Sequence, residues 1–129
     1  MNKENTKKLF EEFNYMFRGR HLPITENLMP FGFECGDGWF DLIRELCQNI
    51  IKLDPSKYFI VEQVKEKFGG LRFYVYGSTN EIEDLIEYAE AKSLITCEIC
   101  GKTGKERGNG WIRTLCDECE NKRNNSPDP

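Results

Sequence analysis

Apolar positions recur at helical spacing in three stretches of the chain and crowd at strand spacing in one. Over residues 5–17 they fall at Leu9, Phe10, Phe13, Met16 and Phe17. That pattern predicts a first helix with an aromatic stripe, capped by Asn5 or Thr6. Over 39–53 the inward positions are Trp39, Leu42, Ile43, Leu46, Ile50 and Leu53, and Asp54-Pro55 ends the run. A residue before proline is pushed out of helical geometry, so the stop is sharp. A third helix is expected over 81–94 with Ile82, Leu85, Ile86 and Ala89 inward, capped within Gly77-Ser78-Thr79-Asn80. Between the first two helices, Arg18 to Gly38 reads as a long irregular connection holding Pro23, Pro30 and the turn-like Gly36-Asp37-Gly38. A loop of that length in a small domain is commonly functional or partly strand-like, and Phe31–Cys35 can supply a short edge strand.

Residues 58–76 change the period from helical to strand-like. Gly69-Gly70 is a two-residue turn signal between segments rich in β-branched and aromatic residues, which predicts a hairpin in which Phe68 faces Leu71. One side then collects Val64, Glu66, Phe68, Leu71, Phe73 and Val75 and suits a core. The other collects Gln63, Lys65, Lys67, Arg72, Tyr74 and Tyr76. This register sets Lys67 directly opposite Arg72, and like charges facing across strands repel. Two sources of compensation are open: an internal carboxylate from the acidic third helix or Glu66, or an external phosphate or carboxylate with a tyrosine stacked on a base.

The most specific motif is Cys97-Glu98-Ile99-Cys100, followed after fifteen residues by Cys116-Asp117-Glu118-Cys119. Paired thiols at this separation predict a four-cysteine zinc site, each Cys-x-x-Cys turn presenting two sulfurs to one ion. Gly101 permits the tight backbone after the first pair, and Trp111–Leu115 can run as a strand into the second. Four thiolates fill a tetrahedron, so the expected zinc (Zn2+) is structural and not catalytic. The alternative, a disulfide or redox pair, fits the double spacing less well.

Composition narrows the class. The chain has 129 residues, 39% hydrophobic and 31% charged, which is globular in length and balance. Eighteen basic against twenty-two acidic residues give a net charge of −4, the wrong sign for a general nucleic-acid coat, though not for a local patch. The segment 77–96 alone carries one basic and five acidic residues, a local charge of −4. Apolar runs are short, so no membrane span is expected, and the charged N-terminal segment suggests a cytoplasmic chain. Cys35 and Cys47 are then expected to be reduced thiols.

Other candidate chemistry is thin. Gly101-Lys102-Thr103 lacks the upstream glycine of a phosphate loop, since Thr96 stands there. Gly101–Gly110, with Lys102, Lys105 and Arg107, is open to two readings, a phosphate grip or a solvated ribbon loop. His21 has no partner motif. Glu34 and Asp37 sit three residues apart in an irregular loop that sets no separation between acids. No enzyme is expected.

The expected architecture is therefore an α+β fold, three helices packed on an antiparallel hairpin or small sheet, closed by a C-terminal zinc ribbon. The boundaries are 1–95 for the α+β domain, 96–120 for the ribbon and 121–129 for a flexible tail.

Glu66-Lys67-Phe68-Gly69-Gly70-Leu71-Arg72-Phe73-Tyr74, with the Cys97–Cys119 ribbon and its Gly110-Trp111 and Thr114-Leu115-Cys116, resembles a group of small proteins found in bacteriophages and prophages. The resemblance spans roughly the second half of the chain. It implies a phage-type accessory protein made inside a bacterial cell, a class that often binds host proteins or sequesters nucleotide signals of host defence. The leading expectation is non-enzymatic capture of an anionic, nucleotide-like small molecule, with Lys65, Lys67 and Arg72 supplying charge and Tyr74 or Trp39 a stacking surface. The alternatives are a protein-interaction inhibitor of a host factor and, less favoured, nucleic-acid binding through the ribbon. Either a monomer or a homo-oligomer fits the sequence.

Overall fold

A computed structural model describes residues 1–125 and shows a mixed α+β fold. The elements run α1 (Lys3–Glu12), β1 (Phe33–Glu34), α2 (Phe40–Lys52), β2 (Ile60–Lys67), β3 (Gly70–Tyr76), α3 (Asn80–Ser93), β4 (Lys105–Arg107), β5 (Arg113–Leu115) and α4 (Asp117–Asn124). One sheet has the order β1-β2-β3 and a second consists of β4 and β5. β1 pairs with β2 in parallel, so α2 is the crossover that a parallel pair requires. No helix among the described residues is long and apolar enough to cross a membrane.

α1 starts and ends earlier than its apolar stripe suggests. Asn2 is the cap, its side-chain oxygen accepting from the Asn5 amide at 2.7 Å. The helix stops at Glu12, yet Phe13, Met16 and Phe17 remain buried in the turns that follow. Carbonyls left free past the end of the helix are met by arginine side chains. Arg18 donates to the carbonyl of Tyr15, and Arg20 to those of Asn14 and Phe17. The aromatic stripe closes on the sheet through Phe33, whose ring centroid lies 5.2 Å from Phe10 and 5.1 Å from Phe17.

The long connection works as an edge cover. β1 reaches only two residues along β2. Beyond it, the Val61 amide donates to the carbonyl of Met16, the Leu28 amide to that of Glu62, and the buried Asn27 side chain to that of Val61. Backbone groups of β2 that would otherwise be exposed are thus satisfied. Trp39, Leu42, Ile43, Leu46, Cys47 and Ile50 of the α2 segment fill the core with Val61, Val64, Leu71 and Phe73, and Ile82, Ile86 and Ala89 of α3 close it. Burial pushes the Cys35 thiol up to about 12 and raises that of Cys47 as well, so both are inert thiols.

The hairpin turn sits one residue earlier than the Gly69-Gly70 signal. Lys67 pairs with Gly70, and Phe68-Gly69 is the two-residue loop, with φ of 53° and 85°. Positive φ at both central positions is the type I′ geometry that matches the twist of the flanking strands. Phe68 therefore leaves the core face and stands 67% exposed. Lys65, not Lys67, faces Arg72. Every other residue keeps its side, because the pairing shifted by an even number of positions. A bulge between Val61 and Gln63 returns Val61 to the core.

After the last cysteine, where fraying was expected, α4 continues to Asn124. It carries Asp117, Glu118 and Glu120 in its first turn and Lys122 and Arg123 in its last, the charge order its dipole favours. Among the described residues there are four α-helices, where three were expected. The rest of the expected tail, residues 126–129, lies outside the described residues.

The left-handed Phe68 gives a direct test of the turn. Phe68→Asn should stabilise the protein by about 0.5–1 kcal/mol, because asparagine tolerates positive φ better than phenylalanine. Thermal denaturation reads this as a melting point about 1–4 °C higher. A lower melting point would mean that the exposed phenyl ring contributes packing worth more than the strain.

Candidate functional site

The ribbon is built from two tight turns. After Ser93 the chain bridges Thr96 to Thr103, the Cys97 amide donates to the carbonyl of Lys102 at 2.7 Å, and the Gly101 amide to that of Cys97 at 2.9 Å. Gly101 adopts φ of 83°, a conformation that suits glycine. β5 then carries Cys116 into place as the cap of α4, its sulfur accepting from the Cys119 amide at 3.4 Å. These turns bring the sulfurs of Cys97, Cys100, Cys116 and Cys119 within 4.8 Å of one another. The Cys100 and Cys116 sulfurs are 3.6 Å apart. A tetrahedral ion with bonds of about 2.3 Å requires sulfur separations near 3.8 Å, so the quartet fits a metal ion. A disulfide would need about 2.0 Å, and all six cysteines are free thiols.

The electrostatics suit a cation. Burial alone would push the Cys97 thiol up, but the backbone amides of Cys116, Cys100 and Ile99 outweigh it and bring the thiol down to about 6. Cys119 is pushed up to about 12 by burial and by the neighbouring sulfurs of Cys116, Cys97 and Cys100. At Cys100 the Lys102 backbone lowers the thiol, yet burial and the Cys116 and Cys97 sulfurs leave it raised. Crowded sulfurs resist ionising together, and a divalent ion is the countercharge that lets them do so.

The ribbon is docked, not tethered. The amides of Gly36 and Gly38 donate to Glu98, the first to its carboxylate at 2.9 Å and the second to its carbonyl at 2.8 Å. The Trp39 indole donates to the carbonyl of Thr96 at 2.9 Å, and the buried Thr114 hydroxyl to that of Gly69 at 2.7 Å. Arg113 faces the second oxygen of the buried Glu98 carboxylate at 3.3 Å. A Cβ on Gly36 would stand 2.3 Å from the Glu98 carbonyl oxygen, and one on Gly38 would stand 2.2 Å from that of Cys97. Gly36-Asp37-Gly38 reads in the sequence only as a turn, and Glu98 only as a spacer between cysteines. No sequence signal links residues some sixty positions apart.

Trp39 is fully buried, so its indole has no face to offer a ligand, contrary to the stacking role expected for it. Its inward position on the α2 pattern explains why. The remaining expected residues share the outer side of the sheet. Lys65 faces Arg72, Gln63 faces Tyr74, and Lys67 at the turn lies over the Phe68 ring with 5.7 Å to its centroid. Among the described residues none of Lys65, Lys67 and Arg72 pairs with a carboxylate. The internal candidates are engaged elsewhere: Glu66 accepts from the Gly69 amide and Glu90 of α3 from the Phe73 amide. Glu34 lies in register beside Lys65 and accepts from Gln63 at 3.3 Å. An open groove of about 440 Å³ beside Tyr74 is flanked by Glu26 and Glu62, so the basic row lies outside it.

Other candidates have structural employment. Asp37 accepts from the Asn2 amide and the Asn5 side chain, tying α1 to the docking loop, and Glu34 is turned to Gln63. His21 is exposed at the end of a short 3₁₀ turn. In the glycine-rich ribbon loop, Lys102 pairs with Glu118 at 3.7 Å and Arg107 with Asp117 at 2.6 Å. Two of that loop's three cations therefore serve α4.

Compared with protein-family models, curated proteins and solved structures, the chain matches none.

The docking contact predicts that Gly38→Ala destabilises the protein by about 1–3 kcal/mol, the usual range for forcing a methyl group into a filled site. Thermal denaturation should show it as a lower melting point. An unchanged melting point would mean that the ribbon and the Gly36–Gly38 loop are not packed as described.

Proposed function

We propose that this chain is a non-enzymatic binding protein, held together by a structural zinc ion, whose outer sheet face captures an anionic, nucleotide-like ligand. The observation that carries the reading is the cross-strand pair of Lys65 and Arg72, two like charges without a carboxylate partner among the described residues, beside a Tyr74 ring that is 41% exposed. An anion placed over that pair relieves the repulsion and gains charge-assisted hydrogen bonds. Tyr74 offers a base a surface to stack on.

Zinc is the metal we assign to the four sulfurs, since a tetrahedral all-cysteine set is its usual structural environment. Bound there, it would neutralise the thiolates and leave no coordination position for water. Cys97 and Cys100 hold the first turn, Cys116 and Cys119 the second, and Glu98 transmits their placement to the Gly36–Gly38 loop. The ion's task is then folding, and the absence of an open ligand position argues against hydrolysis at this centre.

The resemblance to phage and prophage proteins supplies the setting: an accessory protein in the bacterial cytoplasm that sequesters a nucleotide signal as counter-defence. The alternative, a module that blocks a host protein, draws on Phe68 and Trp111, 67% and 62% exposed at the hairpin and ribbon tips. Binding of nucleic acid through the ribbon loop is less favoured, because α4 already takes Lys102 and Arg107.

Removing the metal with a chelator should lower the melting temperature, and elemental analysis of the native protein should find one zinc per chain. A metal-free protein that melts identically with and without chelator would overturn the zinc assignment. Isothermal titration against a panel of linear and cyclic nucleotides should reveal binding in the micromolar to nanomolar range, about 8–12 kcal/mol. Arg72→Ala should weaken it about tenfold or more, the loss expected for a hydrogen bond to a charged group. Absence of heat with every nucleotide would overturn the ligand assignment.

A further inference from the structure

β3 directs Arg72, Tyr74 and Tyr76 to the same outer side, because alternate residues of a strand share a face. The two rings are 41% and 66% exposed. Positions two apart along a strand are separated by about 6.6 Å, nearly twice the spacing of about 3.4 Å between stacked bases of a duplex strand. Such a pair of rings suits bases splayed along an extended single strand, one per ring. The positive charge lies toward the hairpin turn, on Arg72, Lys65 and Lys67, and the rings lie toward the other end. Lys67 is paired with Gly70, six residues from Tyr76, a separation of about 20 Å. One nucleotide stacked on Tyr76 cannot bring its phosphate to Lys67; a short chain of them spans the strip.

We infer that the ligand of this face is a short single-stranded nucleic acid laid along β3, with bases on Tyr74 and Tyr76 and phosphates on Arg72, Lys65 and Lys67. This rests on the reading of the outer face as an anion site. The flank by Glu34 and Glu62 repels phosphate, which keeps the backbone of the ligand over β3 and the turn. Aromatic rings on a sheet face tolerate any base, so the recognition favours single strands over a particular sequence.

The test is fluorescence anisotropy of the metal-loaded chain with labelled oligothymidylates of two to ten nucleotides, with thymidine monophosphate as competitor. Affinity should rise with length and level off near about four nucleotides, the number that a strip of about 20 Å holds at this spacing. Tyr74→Ala and Tyr76→Ala should each weaken binding about 5- to 150-fold. Arg72→Ala should reduce the salt slope by about 0.7. Tyr88→Ala, on the exposed side of α3, should change nothing. Quenching of tyrosine emission by unlabelled oligomer in the unsubstituted protein checks the same contact without any variant. If thymidine monophosphate competes as well as the decamer, the oligomer assignment fails while the anion face stands. If neither binds, the oligomer assignment fails, and the anion face is decided by the nucleotide panel. Binding that survives both tyrosine variants but is lost in Trp111→Ala moves the nucleic acid to the ribbon and overturns the inference. Equal displacement by polyglutamate would make the partner an acidic protein and overturn it too.

Discussion

Two stretches of backbone meet in this fold with no room for a side chain between them, and the placement of the ribbon depends on that contact. Gly36 and Gly38 lie against the carbonyls of Cys97 and Glu98 so closely that a single methyl group would overlap backbone atoms. Close approach lets two amides of the loop bond to Glu98, one to its main chain and one to its carboxylate. The same carboxylate holds Arg113, and its neighbour Thr114 reaches the hairpin turn at Gly69. The turn that carries the cysteine cluster is thereby connected to the start of α2 and to the tip of β2–β3. Ordering of the four sulfurs is not a local event at the end of the chain; it braces the hairpin that carries the basic row.

What could be read from the sequence follows from which contacts are local. The four-cysteine cluster and the amphipathic α2 and α3 were legible because spacing alone sets them. The membership of the two hairpin faces was legible too, and it survived an error in the turn. Moving the loop from Gly69-Gly70 to Phe68-Gly69 changes each partner by two positions, which exchanges neighbours but not sides. Lys65 thus replaces Lys67 opposite Arg72, and Lys67 faces Gly70. Phe68 was misplaced because a bulky residue at positive φ runs against the usual preference for asparagine or glycine there.

Where the structure departs from the apolar pattern, the cause lies in backbone turns and contacts that the pattern does not encode. α1 is shorter than its stripe because Met16 and Phe17 continue the helical spacing while the backbone under them has already turned, its free carbonyls met by Arg18 and Arg20. α4 leaves little trace in the sequence because its apolar face is nearly absent and its cap is the thiol of Cys116, not one of the common capping residues. The docking of Glu98 is long-range and leaves no local trace. For Trp39 an inward helical position and a stacking role are incompatible, and its burial satisfies only the first.

The sheet's edges constrain how it can recognise anything. The outward amides of Leu71 and Phe73 on β3 are taken by Ser93 and Glu90 of α3, and β2 is covered beyond β1 by Met16, Asn27 and Leu28. A peptide strand added to the β3 edge would have to displace those side chains before gaining its own ladder. Recognition by main-chain pairing is therefore disfavoured there, and the face is what remains. On that face the charges of a net-acidic protein are sorted by sign. α4 draws off cations of the ribbon, Glu66 and Glu90 are committed to backbone amides, and Lys65, Lys67 and Arg72 stay without a carboxylate partner among the described residues, Arg72 donating to the carbonyl of its neighbour Leu71. Cations held on a half-buried face without a carboxylate to neutralise them raise the local positive potential, and that potential is the electrostatic basis of the anion site proposed above.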